Sequence, residues 1–316
     1  MCDDGIELGE ISVDELVEKI KSDEYSLLCG NGLTKCVYGE CWKNPDEEFY
    51  KIFLRDTLRL ITEKELHIEC SEKFFNFIRI EYGLKIFQYY QKLQKQIEST
   101  NYKYIPENFL KKFKNIYTLN YDVLIPRSNA KYKTHKDGFS KEAISACEIQ
   151  ERYGDNGLYY LHGAFHLLHI SEENQQYKKI TSDNDNGIDL LTAIQNVYQE
   201  VQQAFIDEKW EEISKNDPLL VYASRSKYKL WAILTDDYLK HCYKKLEAEE
   251  KIVVFGCSFQ NDEHILEALM SGKDKEIYIC YFDKNDLARF QKKIKNTKNK
   301  IAVCESKGIY PKLCRS

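Results

Sequence analysis

The sequence lacks several features that mark membrane proteins, secreted proteins and zinc proteins. No apolar run approaches the roughly 18 residues that a membrane-spanning helix needs, and the acidic first residues lack a signal-peptide pattern. There are 11 cysteines, but no two of them form a Cys-x-x-Cys pair. We therefore expect a cytoplasmic protein that has free thiols and binds no metal.

The sequence also lacks an excess of positive charge. It contains 46 Lys and Arg residues against 51 Asp and Glu residues, which gives a formal net charge of −5. Proteins that bind nucleic acid through phosphate attraction usually carry the opposite balance. We therefore expect no direct binding to nucleic acid and no association with a membrane.

Short apolar stretches alternate with amphipathic segments, most regularly in the last third of the chain. This alternation is typical of a parallel sheet whose strands are connected by helices. We predict an α/β fold, Rossmann-like and doubly wound, with a mostly parallel sheet, helices on both faces and a helical insert. The predicted strands are 25–29, 115–119, 158–161, 219–222, 252–255, 277–282 and 301–304.

We interpret the whole chain, 1–316, as a single domain. Within it, residues 47–114 are predicted to form a helical insert or layer, because their apolar residues recur at helical spacing. Ser12, followed by Glu15, has the spacing of a capping box and predicts the start of a first helix. Weak periodicity predicts mainly loops over 126–157 and 171–187, and an apolar stripe predicts one long helix over 188–214.

Polar residues follow the predicted strands at the points where the strands end. Thr118, Asn120 and Asp122 alternate after the second strand, so an extended backbone would direct them to one side. His162 and Gly163 follow the third strand. A histidine can act as a base at physiological pH, and the glycine would leave room for a substrate beside it. In an open α/β sheet, the carboxyl ends of the strands are where ligands bind.

Two glycine turns complete this set. Gly30, Asn31 and Gly32 follow the first strand, and Gly256 and Ser258 lie in the turn after the strand 252–255. Glycine lets the backbone approach a phosphate closely, and the start of a helix offers unpaired N–H groups. A tight turn or a simple helix cap would explain the same residues.

Taken in chain order, these four motifs resemble those of the sirtuin family: a Gly-Ala-Gly turn (here 30–32), a Thr-Gln-Asn-x-Asp segment (118–122), a catalytic His-Gly (162–163) and a Gly-Thr-Ser turn (256–258). The resemblance implies an NAD site with Asn120 and His162 as the catalytic residues. Asn120 would hold a water molecule or the ribose hydroxyls, and His162 would accept a proton. The residues that would bind NAD are Gly30, Asn31, Gly32, Thr118, Asp122, Gly256, Ser258 and Asp283.

Individual roles follow from the same resemblance. Asp122 would position the nicotinamide, and the turn 30–32 would cradle the pyrophosphate. Ser258 would contact a phosphate or the adenosine ribose, and Asp283 would accept hydrogen bonds from the adenosine ribose hydroxyls. This last role is that of the acidic residue after a strand in other dinucleotide folds.

The sequence departs from sirtuin deacylases after His162, where those enzymes carry a four-cysteine zinc ribbon. Residues 171–214 contain no cysteine. The chain resembles instead the sirtuin-like NAD hydrolases of bacterial anti-phage systems. That resemblance implies a defence effector that depletes NAD, its substrate, producing nicotinamide and ADP-ribose or a cyclic product. It also implies an activating partner encoded nearby, and a homo-oligomer or hetero-complex. The alternatives are a non-catalytic nucleotide-binding subunit of a defence complex and a zinc-free protein deacylase.

Overall fold

The computed structural model describes residues 8–39, 51, 55, 81–89, 91–92, 104–170, 175–182, 189–207, 209–213, 215–221, 225–294 and 297–315. Most of the predicted insert 47–114 lies outside these residues. Within it, residues 81–89 and Glu107–Leu110 are helical.

Seven strands form one sheet, and each of its pairings is parallel. Their order across the sheet is β1-β11-β10-β9-β2-β3-β5. This arrangement confirms the predicted fold class. The strands are β1 (Gly9–Glu10), β2 (Tyr25–Cys29), β3 (Phe113–Thr118), β5 (Leu158–Tyr160), β9 (Lys251–Phe255), β10 (Glu276–Tyr281) and β11 (Lys300–Glu305).

The order of the strands reverses between β2 and β9. From β2 the chain proceeds to β3 and β5 on one side, and from β9 it proceeds to β10 and β11 on the other. Because crossovers between parallel strands are right-handed, the helices of the two halves lie on opposite faces. The carboxyl ends of β2 and β9 therefore border the crevice where doubly wound folds bind their ligands.

Helices connect the strands, and the first begins as predicted. The Glu15 backbone N–H donates to Ser12 Oγ at 3.2 Å, and the Ser12 backbone N–H donates to Glu15 Oε2 at 3.0 Å. The further described helices that follow the first, Val13–Ser22, are Asn31–Tyr38, Leu124–Tyr132, Ala146–Arg152, Leu190–Ile206, Trp210–Ile213, Ser226–Thr235, Asp237–Ala248, Glu263–Met270, Lys284–Lys293 and Ile309–Arg315. In the part of the chain that the structure describes, no helix combines the length and apolarity needed to cross a membrane.

A second sheet of four antiparallel strands adjoins the first. Its order is β4-β7-β6-β8, where β4 is Ile144–Ser145, β6 is Gly163–Ile170, β7 is Gln176–Lys179 and β8 is Asp217–Leu220. The prediction that 219–222 belongs to the parallel sheet is wrong, because β8 pairs antiparallel with β6. A short apolar run shows that a strand is buried but does not show which sheet it joins.

Two predicted loops contain regular structure. The range 126–157 overlaps the helix Leu124–Tyr132 and contains the helix Ala146–Arg152, and 171–187 contains β7. The second of these helices has a capping box, in which Ser145 Oγ accepts the Glu148 backbone N–H at 3.3 Å. The predicted long helix 188–214 is two helices. The elements in the two predicted loops are short, with nine residues or fewer each, so they give little periodicity.

Candidate active site

A cavity of about 700 Å³ lies at the point where the strand order reverses, and we call it the switch-point cavity. Residues that follow β2, β3, β5, β9 and β10 line it, so five carboxyl ends of the parallel sheet meet there. Cavities of this size are typical of small-molecule and cofactor sites. Eight of the ten predicted site residues line it, namely Gly30, Asn31, Gly32, Asn120, His162, Gly256, Ser258 and Asp283.

The Asn120 side chain is held in one orientation at the wall of this cavity. It is buried, and its Nδ2 donates to the Gly30 carbonyl oxygen at 3.2 Å and to Thr34 Oγ1 at 3.0 Å. Since a carbonyl oxygen can only accept, the contact with Gly30 assigns the amide nitrogen to that side. The Asn120 Oδ1 atom is buried and has no hydrogen-bond partner among the described residues. A buried acceptor left in this way is a place where a water molecule or a ligand hydroxyl would bind.

Thr118 and Asp122 lie behind the wall and do not line the cavity. Thr118 Oγ1 accepts the Asn120 backbone N–H at 3.1 Å. Asp122 accepts from Thr34 Oγ1 at 2.8 Å and from the Leu124 backbone N–H at 2.9 Å. Burial raises the pKa of Asp122 above its usual value. These two residues therefore position the loop that carries Asn120, and the expected contact between Asp122 and nicotinamide is not part of this geometry.

Thr34 joins these residues and was not predicted from the sequence. It is fully buried on the helix Asn31–Tyr38, where its hydroxyl donates to Asp122 and accepts from Asn120. Its place in the sequence gave no signal beyond its position shortly after the first glycine turn.

His162 lies at the end of β5 with 2% of its surface exposed. Burial, and secondarily the charge of Lys229, hold the pKa of His162 well below its ordinary value. The ring is therefore neutral at pH 7, the form in which it can accept a proton. The Tyr121 ring lies beside it, with 6.3 Å between the ring centroids.

Residues from two further helices surround His162. Its Nε2 lies 3.3 Å from His264 Nε2 and 3.7 Å from Asp262 Oδ1. Lys229 Nζ donates to the same Asp262 oxygen at 2.7 Å. No role in the site was predicted from the sequence for Asp262, His264 or Lys229.

The ligand types and spacing at His162, Asp262 and His264 also resemble those of a metal site, because one ligand atom from each lies within 4.8 Å of the others. The ammonium group of Lys229 contacts Asp262 in this cluster. A cation bound there would have to displace Lys229 or lie beside its charge. The arrangement as it stands is a hydrogen-bonded ion-pair network, and the absence of a bound metal stays a prediction.

The glycine turns after β2 and β9 touch each other. A Cβ atom built on Gly32 would lie 2.4 Å from Gly256 Cα, and one on Gly30 would lie 2.7 Å from the Gly256 carbonyl oxygen. The Gly30 and Gly32 N–H groups donate to the carbonyl oxygens of Phe255 and Gly256 at 3.1 and 3.0 Å. These two N–H groups are therefore engaged within the protein, and the glycines are required by the contact between the turns.

Gly163 serves a purpose different from the predicted one. It was expected to leave room for a substrate, but a Cβ atom on it would lie 1.9 Å from the Leu219 carbonyl oxygen. Its φ angle of +74° turns the chain from the parallel sheet into β6. Because β8 packs against this turn, the second sheet holds His162 in place.

The far end of the cavity is formed by the loop after β9 and the start of the helix Lys284–Lys293. Phe259 and Asn261 have φ angles of +51° and +64°, which are unusual for residues other than glycine and are often found at functional sites. Ser258 is exposed on this loop. Asp283 caps the helix, where its Oδ1 accepts the backbone N–H groups of Asn285 and Asp286 at 2.8 Å each.

One protein family and several solved structures are similar to this chain. The model of a family described as "Domain of unknown function (DUF4917)" matches residues 86–307, more than two thirds of the chain. A solved structure described as a Sir2 homolog–NAD complex is 12% identical, with 98% of this chain and 96% of that chain covered and a TM-score of 0.39. Another, described as a structural basis for the mechanism and regulation of Sir2 enzymes, is 11% identical, with 96% of each chain covered and a TM-score of 0.38. No protein with a curated description matches the sequence.

Proposed function

The chain belongs to the family described as a domain of unknown function (DUF4917), and we propose that it is an NAD hydrolase. The reaction breaks the bond between nicotinamide and the ribose, and water or a ribose hydroxyl takes the place of nicotinamide. The products are nicotinamide and ADP-ribose or a cyclic product. The resemblance of four ordered motifs to the sirtuin family supports NAD as the substrate.

The observation that carries the proposal is the unpartnered Asn120 Oδ1. The amide nitrogen of the same side chain donates two hydrogen bonds, which fix the oxygen at the wall of the switch-point cavity. The site also contains a neutral, buried histidine. Cleavage of the nicotinamide bond builds positive charge on the ribose, and an amide oxygen can hold the attacking hydroxyl or water. Fixed orientation of this kind is a large part of catalysis by proximity.

His162 would accept the proton that the attacking oxygen loses. The electron pair of the broken bond leaves with nicotinamide, the new carbon–oxygen bond forms at the ribose, and the proton moves to the imidazole. A neutral ring is required for this step, and burial keeps His162 neutral. General base catalysis typically contributes about 10²–10⁴-fold to a rate.

His264 would orient His162 for this role. Ser226 Oγ accepts the His264 backbone N–H at 2.8 Å and lies 2.8 Å from His264 Nδ1. We assign the imidazole proton of His264 to Nδ1, where it would be donated to Ser226 Oγ, because this leaves His264 Nε2 able to accept from His162. In this arrangement His264 Nε2 accepts from His162 Nε2–H, and Nδ1 of His162 is the basic nitrogen.

The remainder of the cavity would bind the dinucleotide. Ser258 and Asp283 lie at the end formed by β9 and β10, where a phosphate and the adenosine ribose would be contacted. Asp283 already uses Oδ1 as a helix cap, which fixes its carboxylate in position. Replacement of Ser258 by Ala would raise KM more than it lowers kcat, because its contact would be equal in the ground and transition states.

The test is release of nicotinamide from NAD by the purified full chain, alone and with the products of neighbouring genes. Calorimetric binding of ADP-ribose to the same preparation separates the enzyme from the alternative, a non-catalytic nucleotide-binding subunit. Binding without release of nicotinamide under either condition would support the subunit and overturn the hydrolase. If the chain does not bind ADP-ribose and does not release nicotinamide, NAD is not its substrate.

We extend the proposal to a defence role, on the resemblance to sirtuin-like anti-phage effectors. An enzyme that depletes NAD must remain inactive until it is triggered, so the proposal includes an activating partner or assembly. It also includes a single domain that contains the whole site. Expression of the chain with its neighbouring genes should lower cellular NAD after phage infection. An unchanged NAD concentration during infection would contradict the defence role. It would not contradict the hydrolase activity, which the nicotinamide-release assay tests separately.

A further inference from the structure

A second cavity, of about 820 Å³, shares no lining residue with the switch-point cavity. It lies between the helix Leu124–Tyr132, the end of the helix Ala146–Arg152 and the strands β6 and β7. We call it the basic cavity. Its size falls in the range of sites that bind nucleotides and other small ligands.

The charges around the basic cavity are mainly positive, although the chain as a whole has a net charge of −5. Among the described residues that line it, six side chains are cationic, against the two carboxylates of Asp137 and Asp189. Lys179 forms an ion pair with Asp137, with 2.9 Å between Lys179 Nζ and Asp137 Oδ1. The six cations are Arg127, Lys131, Lys133, Lys136, Arg152 and Lys179. Such an excess of cations around a concave surface attracts ligands that carry several negative charges.

His166 gives the basic cavity a polar group that lacks a partner. It lies on β6 with 3% of its surface exposed, and both ring nitrogens are buried without a hydrogen-bond partner among the described residues. Burial lowers the pKa of His166 to about 3, so the ring is neutral at pH 7. A neutral imidazole offers one donor and one acceptor, and leaving both unsatisfied is costly. A bound ligand would satisfy them.

An aromatic ring completes the lining. Tyr104 lies at the edge of the basic cavity, and Lys131 Nζ lies 4.1 Å from the centre of its ring. A flat ring next to a cation suits a ligand that has both an aromatic body and negative charge.

We propose that the basic cavity is a second ligand site that binds a phosphorylated small molecule of nucleotide size. The phosphates would lie among the lysine and arginine side chains, and the uncharged part would bond to His166. One cation would suffice for a monocarboxylate, whereas six cations match a ligand with two or more phosphate groups. This inference does not depend on NAD hydrolysis.

The first experiment is calorimetric titration of the full chain with ATP and with inorganic tripolyphosphate, on the wild type and on four charge-reversal variants. Lys136→Glu and Arg152→Glu change the basic cavity, Lys35→Glu changes the switch-point cavity, and the exposed Lys240→Glu is the matched surface control. Loss of a charge-assisted contact should weaken ATP binding about tenfold or more in the first two variants only.

Each outcome decides the proposal. Binding of ATP that is weakened by Lys136→Glu and Arg152→Glu supports it, and equal binding of tripolyphosphate would mean that the phosphates alone are recognised. Weakening by Lys35→Glu alone would place ATP in the switch-point cavity and overturn the proposal. Absence of binding by both probes, or equal weakening by all four variants, would also overturn it.

The second experiment replaces His166 with Phe, which keeps a ring against Tyr160 while removing both nitrogens. A recognition role predicts unchanged or higher thermal stability, because two unsatisfied polar atoms are removed, together with at least severalfold weaker ATP binding. Lower stability with unchanged ATP affinity would show a structural histidine and contradict its assignment to the ligand.

Discussion

The Nε2 atoms of His162 and His264 lie 3.3 Å apart, and Lys229 and Asp262 form an ion pair beside them. The two histidines come from separate elements, one at the end of β5 and the other in the helix Glu263–Met270. Burial lowers the pKa of His264 to about 3, with the neighbouring His162 as a further cause. Both rings are thus neutral at pH 7, and a neutral pair can share one hydrogen bond.

The pH dependence of NAD cleavage should reflect this environment. The base must be unprotonated to act, and the pKa of His162 is lowered, so kcat/KM should remain high below pH 6.5. Lys229→Met removes a positive charge that disfavours protonation, so the pKa of His162 should rise and the acidic limb should move to higher pH. Lys240→Met is the exposed control. A limb that stays in place or moves to lower pH would contradict the assigned role of Lys229.

Thr34 should be necessary for the orientation of Asn120. In Thr34→Val the amide loses an acceptor and Asp122 loses a donor in a buried site, which should cost about 1–3 kcal/mol of stability. Nicotinamide release should fall by more than the loss of folded protein explains. Thr34→Ser keeps the hydroxyl and should retain most of the activity. Full activity in the valine variant, measured beside its thermal unfolding, would show that Asn120 needs no such anchor.

Gly163 should be required for folding around His162. Gly163→Ala combines a positive φ with a collision against the Leu219 carbonyl and should lower the free energy of unfolding by about 2 kcal/mol or more. Gly39→Ala is the matched control, since Gly39 has a φ of +76° and, apart from its chain neighbours, no atom of the described residues lies within 4 Å of its Cβ position. That control should cost only about 1 kcal/mol. Equal losses in the two variants, measured by urea denaturation, would contradict the packing of β8 against this turn.

The metal content tests the network of His162, Asp262, His264 and Lys229. Because the ammonium group of Lys229 contacts Asp262, elemental analysis of the chain purified without chelators should find far less than one zinc per molecule. Retention of one zinc that disappears in His264→Ala would show that the cluster is a metal site and would remove His162 as a free base.

Six strands of the parallel sheet, and the edge that carries the site, were predictable because each of these strands has a local signal; the two-residue β1 has none and was not predicted. The ends of β2, β3, β5 and β9 are apolar runs followed directly by polar or glycine residues, and all four border the switch-point cavity. The second sheet was not predictable in the same way. Its strand β7 is only four residues long and contains two lysines, and β8 resembles a strand of the parallel sheet.

The residues that support the site could not be predicted from the sequence, for a different reason. Thr34 and Lys229 reach Asn120 and the His162 cluster from helices distant in the chain. Such contacts depend on how helices pack on the sheet, and no local pattern records that packing. The purpose of Gly163 was misjudged for the same reason, since Leu219, which requires it, is 56 residues away.

The most direct test of the account is nicotinamide release by Asn120→Ala, measured beside its thermal stability under conditions in which the wild type is active. Asn156→Ala, at an exposed asparagine, is the matched control. The account predicts a folded Asn120→Ala protein that releases nicotinamide at least about 10²-fold more slowly, with normal release by the control. A stable Asn120→Ala protein that cleaves NAD at the wild-type rate would contradict it.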